Sequence, residues 1–366
     1  MKPQERFDAF RNRLESSLIE REDEISAALV GLLTKQNVFF CGEPGTGKSM
    51  LANMLGKWMG GAVFTIQLNK HTAQEELFGA LDPQALLKGI YRRNTKGKLP
   101  EATVAIVDEI WNASSAIANT LLELFNERVY RNNGSIIQCP LRSVISASNH
   151  TPHSYEGGKE LSAMFDRFLI RKMVVPVMTD EGQRRLLWDN LSQDVGPEYV
   201  LSTDDLDEAC RQVKQTKWNK AAKECYEEIL AEIKKEGIVP GDRRKRLSVE
   251  VGKATAWLEG KDAVDPEHLE MFSHTLWRDP EGQPQKVAKV VARLACPNNL
   301  IINQLTEEVA EIMGKNNLDN LEVTAENVKK LGEIDDRLRE IDSRKAKAAR
   351  AYVASQRVLI SQRWAR

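Results

Sequence analysis

The chain has 366 residues, a formal net charge of −1 at pH 7, and 42% apolar and 29% charged residues. This length has room for two or three domains, each with its own core. The balanced charge argues against binding of nucleic acid through overall charge. No apolar run is long enough for a membrane span or a secretory signal, so we expect a cytoplasmic protein.

The cysteines give no sign of a disulfide framework or a zinc site. They are Cys41, Cys139, Cys210, Cys225 and Cys296. No two of them form a C-x-x-C pair, and the histidines do not cluster. Scattered thiols of this kind are typical of free cysteines in a reducing compartment.

The first 35 residues carry apolar side chains at helical spacing. These side chains are Phe7, Phe10, Leu14, Leu18 and Ile25. Apolar residues three or four positions apart lie on one face of a helix. We therefore expect one or two amphipathic helices over residues 3–35, packed against the edge of a sheet.

A glycine-rich loop follows a short apolar run. Val38–Cys41 reads as a buried strand, and the next residues read G-E-P-G-T-G-K-S. They are Gly42, Glu43, Pro44, Gly45, Thr46, Gly47, Lys48 and Ser49. In such a loop the backbone N–H groups cradle a polyphosphate, Lys48 reaches the β- and γ-phosphates, and Ser49 ligates Mg²⁺. An ordinary glycine-rich turn is the competing interpretation.

A second candidate segment reads T-V-A-I-V-D-E over Thr103–Glu109. Its β-branched run predicts a buried strand that ends in two acids, and open α/β sheets bind ligands at the carboxyl ends of their strands. Asp108 would support the Mg²⁺ shell, and Glu109 would polarise the attacking water. The alternative is a strand that ends in a solvated acidic turn.

Strands and helices alternate through the first half of the chain. The predicted strands are 38–41, 62–68, 103–107 and 143–148, and the predicted helices are 48–58, 72–78 and 114–127. This alternation predicts a parallel, three-layer α/β domain. Asn133-Gly134 lies between two apolar-alternating arms in Val129–Gln138, which indicates a β-hairpin.

The strand signal disappears after about Pro176, and the rest of the chain is helical in pattern. Lys214–Lys235 predicts one long charged helix, and V-P-G-D at Val239–Asp242 opens another helix. Near the C-terminus, apolar residues alternate at spacings of three and four, as in a heptad seam; they are Leu331, Ile334, Leu338, Ile341, Ala348, Tyr352 and Leu359. A short coiled coil and packing against the body of the protein are both compatible with this pattern. We expect domains at 1–176, 177–280 and 281–366.

The order of these motifs resembles that of an AAA+ ATPase. Ser146-Ala147-Ser148-Asn149 matches the sensor-1 strand, whose terminal Asn helps to position the lytic water. Asp166-Arg167-Phe168 matches the segment with the arginine finger that acts on the neighbouring subunit's γ-phosphate. Gly241-Asp242-Arg243-Arg244 matches the sensor-2 segment of the lid, and we assign that role to Arg243. The resemblance implies that Lys48, Mg²⁺ and Arg243 act within one subunit.

The residues alone leave other interpretations open at these three positions. Asn149 could cap or turn the chain. Arg167 could form an ion pair with Asp166 or Glu160. The basic run after Gly241 could be a solvated helix start.

The chain is similar to the MoxR family, and within it to the RavA-like branch, over roughly residues 20–280. Three features carry this likeness: the hairpin, the segment Gln74–Gly79, and the Trp in Asp108-Glu109-Ile110-Trp111. The likeness implies an AAA+ αβα domain with a helical lid and a C-terminal helical segment. It also implies ATP and Mg²⁺ as cofactors, a homo-oligomeric, hexameric ring, and a von Willebrand factor A (vWA) domain protein as partner. Such a ring would remodel or activate protein substrates.

Two departures from that branch affect the expected function. Nothing after residue 280 reads as the β-rich accessory domain of RavA-like proteins. The chain also lacks the aromatic-apolar-Gly loop of threading unfoldases; Leu77-Phe78-Gly79 is the nearest string, and it also reads as a buried helix end capped by glycine.

A nucleic-acid motor or loader is the alternative function. Tyr91, Arg92 and Arg93 lie in a basic stretch over 82–100, which could be an insert facing nucleic acid or a solvated loop. From residue 343 onward the tail has seven basic residues and no acid. Against this alternative, the chain has no recognisable DNA-binding module. A GTP switch is rejected because Thr72 replaces the Asp of the guanine-reading N-K-x-D motif.

Overall fold

The structure is a computed structural model, which describes residues 3–152, 158–189, 201–314, 321–341 and 343–364. In chain order, the strands are β1 Asn37–Gly42, β2 Met59–Gly60, β3 Val63–Gln67, β4 Val104–Asp108, β5 Val129–Asn132, β6 Ser135–Gln138, β7 Ser143–Ser148, β8 Phe168–Val174, β9 Leu201–Ser202, β10 Lys217–Trp218 and β11 Ala263–Val264. The helices are α1 Pro3–Ser17, α2 Glu22–Thr34, α3 Lys48–Trp58, α4 Gln74–Phe78, α5 Pro83–Leu86, α6 Ser115–Glu127, α7 Gly158–Phe165, α8 Asp180–Trp188, α9 Thr203–Gln215, α10 Lys220–Lys235, α11 Asp242–Leu258, α12 Gln283–Ala295, α13 Pro297–Gly314, α14 Leu321–Arg339 and α15 Arg344–Trp364. Short 3₁₀ helices lie at Leu99–Glu101, Ile110–Asn112 and Pro266–His274. Within these ranges no helix has the length and apolarity needed to cross a membrane.

A five-stranded parallel sheet forms the core, in the order β3-β4-β7-β1-β8. The central strand β7 is buried along its whole length, as expected for a sheet covered on both faces. Helix α2 packs against β1, β7 and β8, and α3 packs against β3, β4 and β7. The predicted three-layer α/β class is therefore confirmed.

The fifth strand, β8, was not predicted from the sequence. Its residues read F-L-I-R-K-M-V, and the two adjacent basic residues, Arg171 and Lys172, interrupt the apolar run. Arg171 is nevertheless 1% exposed, because its guanidinium donates to backbone carbonyls of its own chain, including Phe168 O at 2.9 Å. Its side chain also stacks on Phe165, with the guanidinium carbon 3.9 Å from the ring centroid.

The hairpin β5–β6 and the segment before it dock on one another. Phe78, at the end of α4, stacks on Tyr130 of β5 with ring centroids 5.4 Å apart. The side chain of Asn132 exchanges two hydrogen bonds with the backbone of Arg93, at 2.8 and 2.9 Å. Because Leu77 and Phe78 are fully buried, the Leu-Phe-Gly string is a helix end packed in the core.

The long charged helix predicted over Lys214–Lys235 is wrong in its extent. Helix α9 ends at Gln215, and β10 pairs with β11 before α10 begins. Asn219 starts α10 by accepting a hydrogen bond from Ala222 N at 2.7 Å, as N-cap residues do. The N-cap at Asn219 therefore starts a new helix inside a charged run whose pattern looks like one continuous helix.

The C-terminal helices α13, α14 and α15 enclose a second apolar cluster, separate from the main core. Leu331, Ile334 and Leu338 are buried in it, but α14 and α15 are distinct helices, so the heptad-like residues do not form one continuous seam. The side chain of Leu359 lies outside the described part of the structure. Helix α12 packs on the 3₁₀ helix Pro266–His274, and the domain boundaries stay a prediction.

Candidate active site

The glycine-rich loop between β1 and α3 has a backbone that only glycine adopts readily. Gly45 and Gly47 have φ angles of +81° and +80°, in the left-handed region. A Cβ added at either glycine would meet no atom within 4 Å, so this side of the loop faces open space. Arg21, which is 5% exposed, supports the loop by donating to Thr46 O at 3.0 Å.

Lys48 directs its ammonium group into this loop. Its Nζ donates to Gly42 O at 2.8 Å, Glu43 O at 2.7 Å and Asn149 Oδ1 at 3.2 Å. Burial lowers the pKa of Lys48, while the nearby acids at the end of β4 act in the opposite direction. A cation fixed at this point beside the start of a helix can bind phosphate oxygens.

Ser49 and Asp108 supply the oxygen atoms of a possible metal site. The Ser49 hydroxyl donates to Asp108 Oδ2 at 2.7 Å, although the two residues come from α3 and β4. A hydroxyl and a carboxylate next to a phosphate cradle fit the ligand preference of Mg²⁺, which takes few protein ligands and keeps several waters. These two residues could therefore hold Mg²⁺.

Glu109 follows β4 in an unusual backbone conformation. Its φ and ψ are 52° and 44°, a left-handed position that costs a non-glycine residue about 1 kcal/mol. The Glu109 N–H donates to Ala147 O at 2.8 Å, and the Ser148 hydroxyl donates to Glu109 Oε2 at 2.9 Å. Strain of this kind is concentrated at functional sites. The carboxylate is thus held at the end of β7, where it could accept a proton from water.

The loop, the acidic pair and Asn149 meet at one edge of the sheet, as the sequence predicts. They follow β1, β4 and β7, which are neighbours and parallel, so their carboxyl ends coincide. The hydrogen bond from Lys48 to Asn149 and that from Ser49 to Asp108 join the three segments directly. This constellation can bind a triphosphate and activate a water beside it.

Arg167 lies at the opposite edge of the sheet. It precedes the seven-residue strand β8, and its carbonyl accepts from the side chain of Asn37, the first residue of β1. At about 3.3 Å per residue, β8 separates Arg167 from its own glycine-rich loop by roughly 20 Å. Arg167 therefore cannot contact a phosphate bound in that loop.

Arg243 lies near Arg167 rather than near Lys48. Desolvation and the positive charge of Arg167 both lower the pKa of Arg243, although its side chain is exposed by surface area. Its neighbour Arg244 donates to Phe168 O at 3.0 Å, at the amino end of β8, which places the start of α11 at the same edge. The expectation that Arg243 acts on the nucleotide of its own subunit does not fit this position.

Asp166 is not the ion-pair partner of Arg167. Its carboxylate pairs with Arg171 at 3.2 Å and with Arg278 at 3.6 Å. The side chain of Glu160, the other candidate partner, lies outside the described residues. Arg167 Nε is buried without a hydrogen-bond partner in the described structure.

Sequence reasoning missed three residues that support the site: Arg21, Ser148 and Arg171. Arg21 links the loop to the end of β8 by donating to Val175 O at 2.9 Å. Arg171 holds the segment around Arg167 against the lid by donating to Trp277 O at 3.1 Å. A charged residue inside an apolar run was the available signal for Arg171. For Ser148, the available signal was its place directly before Asn149 in the segment that matches the sensor-1 strand.

Glu259, Glu267 and His268 form a compact group whose ligand atoms lie within 4.8 Å of one another. His268 Nδ1 accepts a hydrogen bond from Asp265 N at 2.8 Å, so its proton is on Nε2. In this tautomer Nε2 carries the proton and has no lone pair for a metal. The group is therefore not a metal site.

A cavity of about 440 Å³ lies where the core, the lid and the C-terminal helices meet. Two ion pairs lie along it: Lys172 Nζ lies 3.1 Å from Asp23 within the core, and Lys345 of α15 pairs with Glu270 of the lid. The second pair connects the C-terminal helices to the lid. The cavity therefore lies at the contact between these parts of the chain.

Comparison with known proteins identifies the family. Residues 5–208 match a family model described as the MoxR domain of MoxR-vWA-beta-propeller ternary systems, and residues 222–291 match an AAA lid domain. An uncharacterized protein of Methanocaldococcus jannaschii is 33% identical over 90% of this chain and 83% of its own length. Chaperone MoxR1 of Mycobacterium tuberculosis is 26% identical over 52% of this chain and 49% of its own length.

A solved structure confirms the fold. It is a crystal structure of a protein proposed to be an ATPase, from Cytophaga hutchinsonii, with a TM-score of 0.63 and 18% identity. The match covers 80% of this chain and 94% of that one. These comparisons do not single out the RavA-like branch, which stays a prediction. Because the MoxR model spans more than half of the chain and the nucleotide-site motifs converge in the fold, this protein belongs to the MoxR family of AAA+ ATPases.

Proposed function

We propose that this protein is a ring-forming, Mg²⁺-dependent ATPase that hydrolyses ATP to ADP and phosphate to remodel or activate protein complexes. One observation carries the proposal. The hydrolytic residues Lys48 and Glu109 lie at one edge of the sheet, whereas Arg167 lies roughly 20 Å away at the other. A complete site then requires two subunits.

Within one subunit, the glycine-rich loop binds the phosphates of ATP and Lys48 neutralises the β- and γ-phosphates. Ser49 and Asp108 would hold Mg²⁺, which would supply positive charge to stabilise the transition state. Glu109 takes a proton from the water that Asn149 helps to orient. The water oxygen bonds to the γ-phosphorus as the bond from that phosphorus to the β–γ bridging oxygen breaks, and ADP leaves.

The neighbouring subunit supplies positive charge. Arg167 would reach the γ-phosphate across the interface, and its position beside Arg243 supports the same role for both. Arginine fingers that act in trans contribute about 10³–10⁵ in turnover rate in other nucleotide hydrolases. A head-to-tail interface whose rotation closes gives a ring, and we propose a hexamer.

We propose a vWA-domain protein as the partner, because the matched family model is described from systems that contain one. The cell compartment we propose is the cytoplasm, and within the family we assign the chain to the RavA-like branch. Nucleic acid is not favoured as a substrate. Arg92 and Arg93 are paired with Asp82 and Glu75, at 2.8 and 3.0 Å, so the insert neutralises part of its own charge.

The test is ATP turnover per chain against protein concentration, with the particle mass measured at each point. Specific activity should rise steeply as hexamer-sized particles form. Constant activity from a monomer would contradict the ring and the shared site, while leaving nucleotide binding intact.

A further inference from the structure

Ser148, the last residue of β7, and Asn149, which follows it, hydrogen-bond the two charged groups of the hydrolytic site. Asn149 accepts from Lys48 Nζ at 3.2 Å, and Ser148 donates to Glu109 Oε2 at 2.9 Å. Ser148 is fully buried at the end of β7. Its hydroxyl is therefore shielded from competing water.

The direction of the Ser148 hydrogen bond is fixed by a second contact. The backbone N–H of His150 donates to Ser148 Oγ at 3.3 Å, which uses an acceptor site of the hydroxyl. The hydroxyl proton is then directed at the Glu109 carboxylate, which in its ionised form can only accept. Ser148 thus presents a fixed donor to the base.

We propose that Ser148 is a positioning residue for Glu109, holding one carboxylate oxygen so that the other faces the lytic water. This inference rests on the proposed role of Glu109 in hydrolysis. The left-handed backbone of Glu109 turns its side chain towards β7, and the bond to Oε2 fixes the rotation that remains. Oε1 is then the oxygen that receives the proton from water.

The bond predicts how turnover changes when the donor is lost. The carboxylate of Glu109 would be misplaced, whereas the phosphate cradle around Lys48 would keep its hydrogen bonds. We therefore expect a fall in kcat with little change in KM for ATP. A merely structural serine would leave kcat per folded chain unchanged.

Ser148→Ala should lower kcat by about tenfold and leave KM for ATP within about twofold. Ser148→Cys, with a weaker donor of nearly the same shape, should give intermediate values. The matched control is Ser146→Ala on the same strand, because the Ser146 hydroxyl is equally buried but donates to Val107 O at 2.6 Å. That variant should keep the wild-type kcat and KM.

Glu109→Gln separates failure of this inference from failure of the proposed function. If Glu109→Gln retains wild-type turnover, the proposed hydrolytic role itself is wrong. If Glu109→Gln is inactive while Ser148→Ala has the wild-type kcat, only the positioning role is overturned. In the Glu109→Gln background, adding Ser148→Ala should cause no further loss; a further loss of tenfold or more would also overturn it.

Discussion

Arg243 and Arg244 are adjacent at the start of α11. Substitution of Arg244 should lower the stability of the fold, whereas substitution of Arg243 should lower ATP turnover. Arg244 is 7% exposed, and its guanidinium donates to Leu169 O and Thr275 O, at 2.7 Å each. These bonds tie the lid to the amino end of β8. Arg243 is exposed and has an interfacial role in the proposed mechanism.

The loss of stability on substituting Arg244 can be estimated from the carbonyl groups that lose its hydrogen bonds. Arg244→Met keeps much of the side-chain volume but removes the hydrogen bonds that Arg244 donates to the carbonyls of Leu169 and Thr275. The third acceptor, Phe168 O, keeps a hydrogen bond from Arg171 Nε at 2.9 Å. A buried acceptor without a partner costs about 1–3 kcal/mol, so the free energy of unfolding should fall by about 2–6 kcal/mol.

Arg243→Met should change the free energy of unfolding by less than about 0.5 kcal/mol, since an exposed side chain is lost. Its ATP turnover should nevertheless fall by at least about tenfold, because an interfacial cation is missing. Urea unfolding followed by tryptophan fluorescence, together with steady-state ATPase assays on both variants, distinguishes the two roles. A stable but inactive Arg244→Met beside a fully active Arg243→Met would refute this assignment.

Three further predictions concern the base, the buried histidine and the tail. Glu109→Gln should still bind ATP but lose about 10²-fold or more in turnover, as removal of a general base does, and should trap assembled particles; normal turnover would exclude the base role. Burial lowers the pKa of His268 to about 4, against about 6.5 in the unfolded chain, so the unfolded chain binds more protons between these pH values. The free energy of unfolding should therefore fall by about 1.4 kcal/mol per pH unit as the pH drops from 6.5 towards 4. An equal slope in His268→Gln would contradict this. Deleting 343–366 should leave basal ATPase measurable but expose Leu331 and Leu338, so that the variant aggregates more readily; an unchanged solubility would argue against α15 as part of the second core.

The nucleotide-binding half of the site could be predicted because each of its motifs is local. A glycine-rich loop, two acids and an asparagine each follow an apolar run, and parallel strands bring such ends to one edge. The structure joins them through Lys48 and Asn149, and through Ser49 and Asp108. No long-range information was needed.

Other features depend on tertiary packing, which the sequence does not display. Strand β8 was missed because Arg171 reads as a surface residue, yet its charge is accommodated by backbone carbonyls and the Phe165 ring. Arg243 was expected beside its own nucleotide, but the attachment of the lid at the amino end of β8 moves it to the other edge. The contact of Ser148 with Glu109 depends on the pairing of β4 with β7.

The shared site is the central claim, and mixed rings test it most directly. Lys48→Ala removes the phosphate-binding cation but keeps Arg167, whereas Arg167→Ala keeps the loop and lacks the finger. Each variant should be nearly inactive alone. A one-to-one mixture should recover ATPase activity, because about a quarter of randomly assembled head-to-tail interfaces then pair an intact loop with an intact arginine. A mixture no more active than the average of the two separate variants would contradict the shared site.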